Sequence, residues 1–132
     1  MPIAYHLDRV PTADQAIALY LSAGLERPTS DKSRIVQMYA NSNLVASAWD
    51  GDQLVGVARA LTDFCFCCYL ADLAVRAEYQ HQGIGKKLLA LTKEKAGPGS
   101  TLLLRAAPEA MDYYPKLGLE TMTDGFLIRR DY

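Results

Sequence analysis

A short turn at residues 80–85, with the sequence Gln80-His81-Gln82-Gly83-Ile84-Gly85, combines residue types that can bind a phosphate group. It follows an apolar run at 69–75 and leads into residues 86–91, whose composition favours a helix. The first N–H groups of a helix lack intrahelical partners and carry partial positive charge, and glycine lets a ligand approach the backbone closely. The pattern therefore predicts a site for a phosphate or pyrophosphate, with turn geometry alone as the alternative reason for the glycines.

The cysteines form a second group of residues that could carry chemistry. Cys65, Cys67 and Cys68 are the three cysteines of the chain. An odd, clustered set does not build a disulfide framework, and a zinc site needs four ligands, which the distant His6 and His81 do not complete. We expect buried, reduced thiols on the two faces of a strand, with a reactive thiol or a metal ligand as the alternatives.

The elements that must position the glycine turn follow from apolar periodicity, caps and turn residues. Strands are predicted at 3–10, 44–49, 53–61, 64–75 and 101–106, helices at 12–24, 31–40, 85–96 and 108–116, and a tail hairpin around Asp124-Gly125. The run at 64–75 is apolar on both faces, as in a buried central strand. The predicted fold class is α/β (α+β), with a mixed central sheet of about six to seven strands flanked by about four helices.

Composition excludes several classes of protein. The 132 residues suit a single domain over residues 1–132, and the net charge of −1 argues against binding to nucleic acid or to an anionic membrane. The N-terminus lacks the basic and apolar regions of a signal peptide, and no stretch approaches the ~18 apolar residues of a membrane span. These features lead us to expect a cytoplasmic protein.

Two motifs and the order of the predicted elements resemble the GNAT superfamily of N-acetyltransferases. The family's acetyl-CoA signature is Gln or Arg, any two residues, Gly, any residue, then Gly or Ala, and it stands here at 80–85. A second motif, an aromatic residue followed by Tyr-x-Lys-x-Gly, stands at 113–118, and the hairpin at 48–56 is similar to the family's central hairpin. The resemblance covers nearly the whole chain and implies a GNAT-like fold whose central parallel strands splay apart at the cofactor site.

The resemblance also implies how acetyl-CoA would bind as co-substrate, with no metal. The glycine turn would hold the pyrophosphate, and main-chain groups of Leu73 and Val75 would pair with the pantetheine amides, as a peptide adds to a sheet edge. The predicted cofactor-binding residues are Leu73, Ala74, Val75, Gln80, His81, Gln82, Gly83, Ile84, Gly85 and Lys86. Lys86 can equally be a solvated helix residue.

Tyr114 and Asp72 are the predicted catalytic residues. Tyr114 stands where many family members have the acid that protonates the departing thiolate, and a phenol can donate a proton and be reprotonated. Asp72 precedes the presumed thioester site and could accept the proton of the amine. The alternatives are a packing tyrosine and a structural or substrate-positioning aspartate. An imidazole can accept a proton near neutral pH, but His81 lies in the phosphate turn, away from the thioester.

The implied function is transfer of an acetyl group to a primary amine of a small molecule or peptide by direct attack in a ternary complex. The alternative is a non-catalytic acyl-CoA sensor or partner-binding module on the same fold. Two departures keep that alternative open, because Ala107 replaces an asparagine that touches the pantetheine in many members and Pro115 follows the tyrosine directly. The acceptor is unidentified, and related folds commonly form homodimers, although no segment of the sequence identifies an interface.

Overall fold

The computed structural model describes residues 2–132 and contains one sheet of five strands in the order β1-β2-β3-β4-β5. The strands are β1 (Ala4–His6), β2 (Leu44–Asp50), β3 (Gln53–Thr62), β4 (Cys67–Val75) and β5 (Thr101–Leu103). Neighbouring strands are antiparallel except for β4 and β5, which are parallel. The sheet is therefore mixed, as predicted.

Four α-helices accompany the sheet, which confirms the predicted helix count. They are α1 (Ala13–Ala23), α2 (Lys32–Ala40), α3 (Ile84–Ala96) and α4 (Tyr113–Lys116), with 3-10 turns at Ala77–Tyr79 and Pro108–Ala110. The predicted capping box begins α1, because Thr12 and Gln15 exchange hydrogen bonds of 2.9 and 3.2 Å. Within residues 2–132, no helix is both long enough and apolar enough to cross a membrane.

The core lies on both faces of the sheet. On one face α3 packs closely on β3 at Gly56, where an added Cβ would lie 2.9 Å from Leu88 Cδ1. On the other face α1 and α2 bury Tyr20 and Ile35 against Trp49. The close approach at Gly56 fixes where α3 begins relative to the end of β4.

A β-bulge in β4 changes which face each side chain takes. Arg59 of β3 pairs with Asp72, but the next residue, Ala60, pairs with Leu70, so Ala71 has no partner in β3. A bulge inserts one residue into the alternation of a strand and redirects the side chains beyond it. The bulge therefore decides the environment of Asp72.

The alternation reverses across Ala71. Leu70 packs in the core beneath α3, and beyond the bulge it is Leu73 that lies toward that core. Ala74 instead packs with α1 and α2, and Asp72 bonds to Tyr20 of α1. Without the bulge, Asp72 would share the α3 face with Leu70.

The strand count is five, so the prediction of six to seven strands is wrong. No strand occurs among the described residues after Leu103, and the predicted tail hairpin is absent there. Phe126 and Ile128 are fully exposed, so no packing supports such a hairpin. A two-stranded hairpin without a buried face is marginal in water.

The predicted strand at 64–75 begins only at Cys67. The Asp63 carboxylate accepts hydrogen bonds of 2.7 to 3.0 Å from the N–H groups of Cys65, Phe66 and Cys67. Local side-chain bonds of this kind offer the backbone an alternative to a sheet ladder. Cys65 and Cys67 are consequently exposed rather than buried, whereas Cys68 is buried.

The predicted helix at 108–116 forms two short pieces. A 3-10 turn covers Pro108–Ala110, and α4 covers Tyr113–Lys116. Pro115 is the third residue of α4, within the first turn, where a helix needs no backbone N–H. The proline is therefore accommodated because the helix begins at Tyr113.

Candidate functional site

A cleft opens where β4 and β5 separate. The two strands pair only from Cys67 with Thr101 to Tyr69 with Leu103, although β4 continues to Val75. A cleft of about 680 Å³ lies along the open part of β4, a volume typical of small-molecule sites. The predicted splaying of the central parallel strands is present.

The open edge of β4 presents main-chain groups to this cleft. The N–H of Arg76 donates to the Val55 carbonyl of β3 at 2.8 Å. Because successive N–H groups of a strand point to opposite sides, those of Leu73 and Val75 point away from β3, toward the cleft that both residues border. Ala74 also borders the cleft, but by the same alternation its main-chain groups face β3.

The N-terminus of α3 lies at one end of the cleft. Gly83 precedes the helix with a φ of 84°, and the first helical hydrogen bond runs from Lys87 N to Gly83 O at 3.0 Å. The N–H groups of Ile84, Gly85 and Lys86 therefore come before the first intrahelical bond, and no side chain caps this end in the described structure.

The backbone of the glycine turn is specialised around these N–H groups. His81 has a φ of 65°, a conformation uncommon outside glycine. Every residue of the predicted segment 80–86 borders the cleft except Gln82. The side chain of Ile84 is buried against the core, so only its backbone is available to a ligand.

Two adjacent tyrosines also line the cleft. The ring centroids of Tyr113 and Tyr114 are 5.2 Å apart, with an angle of 70° between the ring planes. A Cβ added to Gly85 would lie 3.0 Å from the Tyr113 hydroxyl, which places Tyr113 beside the N-terminus of α3. Sequence reasoning chose only Tyr114; the signal for Tyr113 was the aromatic position of the same motif.

The environment of Tyr114 differs from that of Tyr113. Burial raises the pKa of Tyr114, the neighbouring Tyr113 adds to this, and the positive charge of Arg27 opposes it. Arg27 is therefore close enough to Tyr114 for its charge to affect this pKa. A phenol with a raised pKa stays protonated at neutral pH.

Asp72 is almost completely buried and is held by three side chains. Its carboxylate accepts hydrogen bonds from Arg27 Nε at 2.5 Å, Arg59 Nε at 2.5 Å and Tyr20 Oη at 2.7 Å. Burial alone would raise the pKa of Asp72, but the hydrogen bond from Arg59 and the charges of Arg27 and Arg59 together lower it. A carboxylate in this setting is a weak proton acceptor, which favours the positioning role over that of a base.

Arg27 is the residue that sequence reasoning missed. It lies in the loop between α1 and α2 and borders the cleft. Besides its contact with Asp72, it donates from Nη2 to the carbonyl of Ala71, the bulge residue, at 2.8 Å. An arginine in a loop of Pro, Thr and Ser carries no motif, so only the fold reveals its place.

The chain is similar to known proteins in both sequence and fold. Residues 16–127 match a family model described as an acetyltransferase (GNAT) domain. A chloroplastic GCN5-related N-acetyltransferase 2 from Arabidopsis thaliana is 36% identical over 78 residues, which cover 55% of this chain and 29% of that protein. The matches to the curated relatives span less than half of those proteins' length.

Two solved structures share the fold. A probable acetyltransferase of unknown function from meticillin-resistant Staphylococcus aureus has a TM-score of 0.82 and 21% identity, covering 98% of this chain and 100% of that one. The structure of AAC(6')-Iy, solved with the bisubstrate analogue CoA-S-monomethyl-acetylneamine, has a TM-score of 0.71 and 12% identity, with 100% of both chains covered. At these identities the likeness establishes a common fold.

Proposed function

Because the chain belongs to the GNAT acetyltransferase family, we propose that it transfers an acetyl group from acetyl-CoA to a primary amine of a small molecule or peptide. Membership supports acyl transfer in general, and the acetyl donor and the amine acceptor are the specific parts of the proposal. The observation that carries it is one cleft that joins the open edge of β4 to the uncapped N-terminus of α3.

The donor fits this cleft in one direction. Its pyrophosphate binds the N–H groups of Ile84, Gly85 and Lys86, where the helix dipole adds positive charge. Its pantetheine amides pair with Leu73 and Val75, whose N–H groups face the cleft. A structural neighbour bound to an analogue containing coenzyme A supports this choice of ligand.

The acetyl group then lies beyond the pantetheine, near Leu73. The deprotonated amine attacks the thioester carbon, forming a C–N bond, and collapse of the tetrahedral intermediate breaks the C–S bond. The N–H of Leu73 stabilises the oxyanion, and Tyr114 protonates the leaving thiolate before solvent reprotonates the phenol. The ammonium form of the acceptor loses one proton to water before the attack, and the nitrogen of the tetrahedral intermediate loses a second proton to water, because Asp72 is committed to two arginines.

A coenzyme A release assay tests this proposal. Acetyl-CoA is mixed with a panel of amino acids, peptides with free N-termini, polyamines, arylalkylamines and aminoglycosides. We expect coenzyme A to appear only in the presence of particular amines, together with the acetylated product by mass spectrometry. Release that is independent of any amine would indicate thioester hydrolysis and contradict the proposal.

A second candidate is a non-catalytic acyl-CoA sensor. It is favoured by Ala107, which borders the cleft where many members have an asparagine, and by the absence of a free carboxylate at Asp72. Calorimetric binding of acetyl-CoA without turnover across the panel would support the sensor over the enzyme. We also propose a cytoplasmic location, which the exposed thiols of Cys65 and Cys67 support because free thiols persist in a reducing compartment.

A further inference from the structure

The ionic cluster under the cleft carries an unbalanced positive charge. It contains one carboxylate, Asp72, and two guanidinium groups, Arg27 and Arg59. The Tyr20 hydroxyl, which bonds to Asp72 at 2.7 Å, also lies 2.6 Å from the Tyr39 hydroxyl. Burial raises the pKa of both phenols, that of Tyr39 to about 12, so both are neutral and the cluster has a net charge of +1.

Of the two guanidinium groups in the cluster, that of Arg27 is the one exposed at the cleft. The side chain of Arg59 is 10% exposed, whereas that of Arg27 is 26% exposed. Arg27 borders the cleft, and Arg59 is covered on the far side of Asp72. Among the described residues, Asp72 is the one carboxylate paired with Arg27. A cationic group at a cavity wall that shares its single counter-ion with a second arginine is a place where an anion gains binding energy.

Arg27 is also held in one orientation. Its Nε, Nη1 and Nη2 atoms donate to Asp72, to the Glu26 carbonyl and to the Ala71 carbonyl, respectively. A guanidinium has about five N–H groups, so about two remain for a ligand. That number matches the two oxygens of a carboxylate, and the fixed orientation removes the entropy cost of ordering the side chain on binding.

The other charges of the cleft separate the donor from the acceptor. Lys86 lies at the N-terminus of α3, beside the N–H groups assigned to the pyrophosphate. Arg27 contacts Ala71 and Asp72, so it lies past Leu73, on the other side of the thioester position. Among the described residues that border the cleft, Glu109 is the only carboxylate. Three cationic side chains also border it, those of Arg27, Lys86 and Arg105, so the lining carries a positive net charge. Such a wall repels a polycationic amine.

We infer that Arg27 binds a carboxylate of the acceptor, so that the acceptor is an amine that also carries a carboxylate, such as a free amino acid, rather than a polyamine or an aminoglycoside. This inference rests on the proposed function, since it names the substrate class of the same site. The carboxylate is held by Arg27 while the amine nitrogen faces the acetyl carbon beside Leu73 and Tyr114.

Matched acceptors test the inference in the wild-type protein. Each set contains an amino acid, its carboxamide and the amine that lacks the carboxyl group, together with phosphoethanolamine as an anion of another kind. Rates come from coenzyme A release, and affinities come from calorimetry with protein saturated by coenzyme A. We expect kcat/KM for the amino acid to exceed that for its carboxamide about tenfold or more, as for one charge-assisted contact.

In Arg27→Gln, the ratio of kcat/KM for the amino acid to that for its carboxamide should fall toward one, whatever the change in the absolute rates. The matched control is Arg34→Gln. This substitution neutralises an arginine of α2 that does not border the cleft. Circular dichroism and coenzyme A binding check that Arg27→Gln is folded, and the comparison among wild-type acceptors stands if it is not.

Several results would overturn the inference. In the rate assays, these are equal rates for an amino acid and its carboxamide, or a preference for polyamines or for phosphoethanolamine. In the variant, it is a carboxylate preference that survives in Arg27→Gln. In calorimetry, it is no binding of any carboxylate acceptor to the complex with coenzyme A. Acetylation of neutral or cationic amines in preference to amino acids would leave the proposed function intact while refuting this substrate class. Absence of acetyl-CoA binding would refute both.

Discussion

At the scale of single residues, Asp72 shows how burial and partners decide a role that the residue type leaves open. A carboxylate near a thioester could act as a base, but two guanidinium groups and a phenol already use its oxygens. Its position follows from the bulge at Ala71, which directs it toward α1. Asp72 therefore joins the loop that carries Arg27 to the central strands.

Asp72→Asn should destabilise the protein by about 3–5 kcal/mol at pH 7, because it leaves Arg59 buried without its counter-ion. Because the pKa of Asp72 is lower in the folded than in the unfolded state, its contribution is fully present above the unfolded pKa of about 4. That contribution is lost as the pH falls through the folded pKa. Urea unfolding of wild type and Asp72→Asn measures the difference in their free energies of unfolding, which should be smaller at pH 3 than at pH 7.

A suitable control is Asp14→Asn, which removes an exposed carboxylate whose ion-pair partner among the described residues is Lys32. Exposed pairs of this kind contribute about 0–1 kcal/mol. Equal stability of Asp72→Asn and wild type at pH 7 would show that the cluster does not hold the cleft together.

Tyr114→Phe should lower kcat by about a hundredfold, the lower part of the range for a general acid, with little change in acetyl-CoA affinity. Because the pKa of Tyr114 is raised, the phenol is protonated throughout pH 6 to 9, and the ratio of wild-type to variant rates should stay constant across that range. Stopped-time assays of coenzyme A release give kcat for both proteins and the ratio of their rates at each pH. A larger loss in Tyr113→Phe would transfer the role of acid to Tyr113.

At the scale of elements, the positions of β4 and α3 create the site. β5 ends at Leu103 while β4 continues, and α3 begins where β4 has been left open. The fit of α3 on β3 depends on Gly56, whose missing side chain makes room for Ile84 and Leu88. The N–H groups that we propose to bind the pyrophosphate are thus positioned by a glycine that lies outside the motif.

Gly56→Ala should destabilise the protein by about 1–3 kcal/mol, because the new Cβ would overpack the interface between α3 and β3. The added atom would lie 2.9 Å from Leu88 and 3.0 Å from Ile84. Gly125→Ala is the matched control, since its near neighbour is the flexible end of Met122 in the exposed tail. Thermal unfolding that is unchanged in Gly56→Ala would mean that α3 is free to move away from β3.

The elements also show what the sequence could and could not predict. The Thr12–Gln15 capping box, the Asp50-Gly51 turn and the helix after Gly83 depend on residues within a few positions of each other, so local rules find them. The bulge at Ala71 depends on how β3 pairs with β4, and the loop end at Cys67 depends on the bonds of Asp63. Such features follow from tertiary pairing or from a competing local bond and have no periodic signal.

At the scale of the whole molecule, the mixed sheet, the four helices and the family were predictable because two motifs stand in the right order along the chain. The strands that were predicted but do not form lie in the tail, where the apolar side chains of Phe126 and Ile128 are fully exposed. The glycine turn was sufficient to propose where the donor binds. The proposed acceptor side could not be found in this way, because Arg27 belongs to a loop whose position is set by Asp72, Ala71 and the ends of α1 and α2.

The central claim is that acetyl-CoA binds with its pyrophosphate at the N-terminus of α3, and Gly83→Glu tests it most directly. The new carboxylate would repel the phosphates. Gly51→Glu is the matched control, because both glycines have positive φ, 84° and 61°, and both have open space around them. The two substitutions therefore introduce similar backbone strain, one at the cleft and one in the hairpin between β2 and β3, whose Gly51 does not border the cleft.

The measurement is the dissociation constant of acetyl-CoA by titration calorimetry for wild type and both variants, with folding verified by circular dichroism. We predict a loss of affinity of about tenfold or more in Gly83→Glu and wild-type affinity in Gly51→Glu. Wild-type affinity in a folded Gly83→Glu would contradict the account, because the donor would then bind elsewhere.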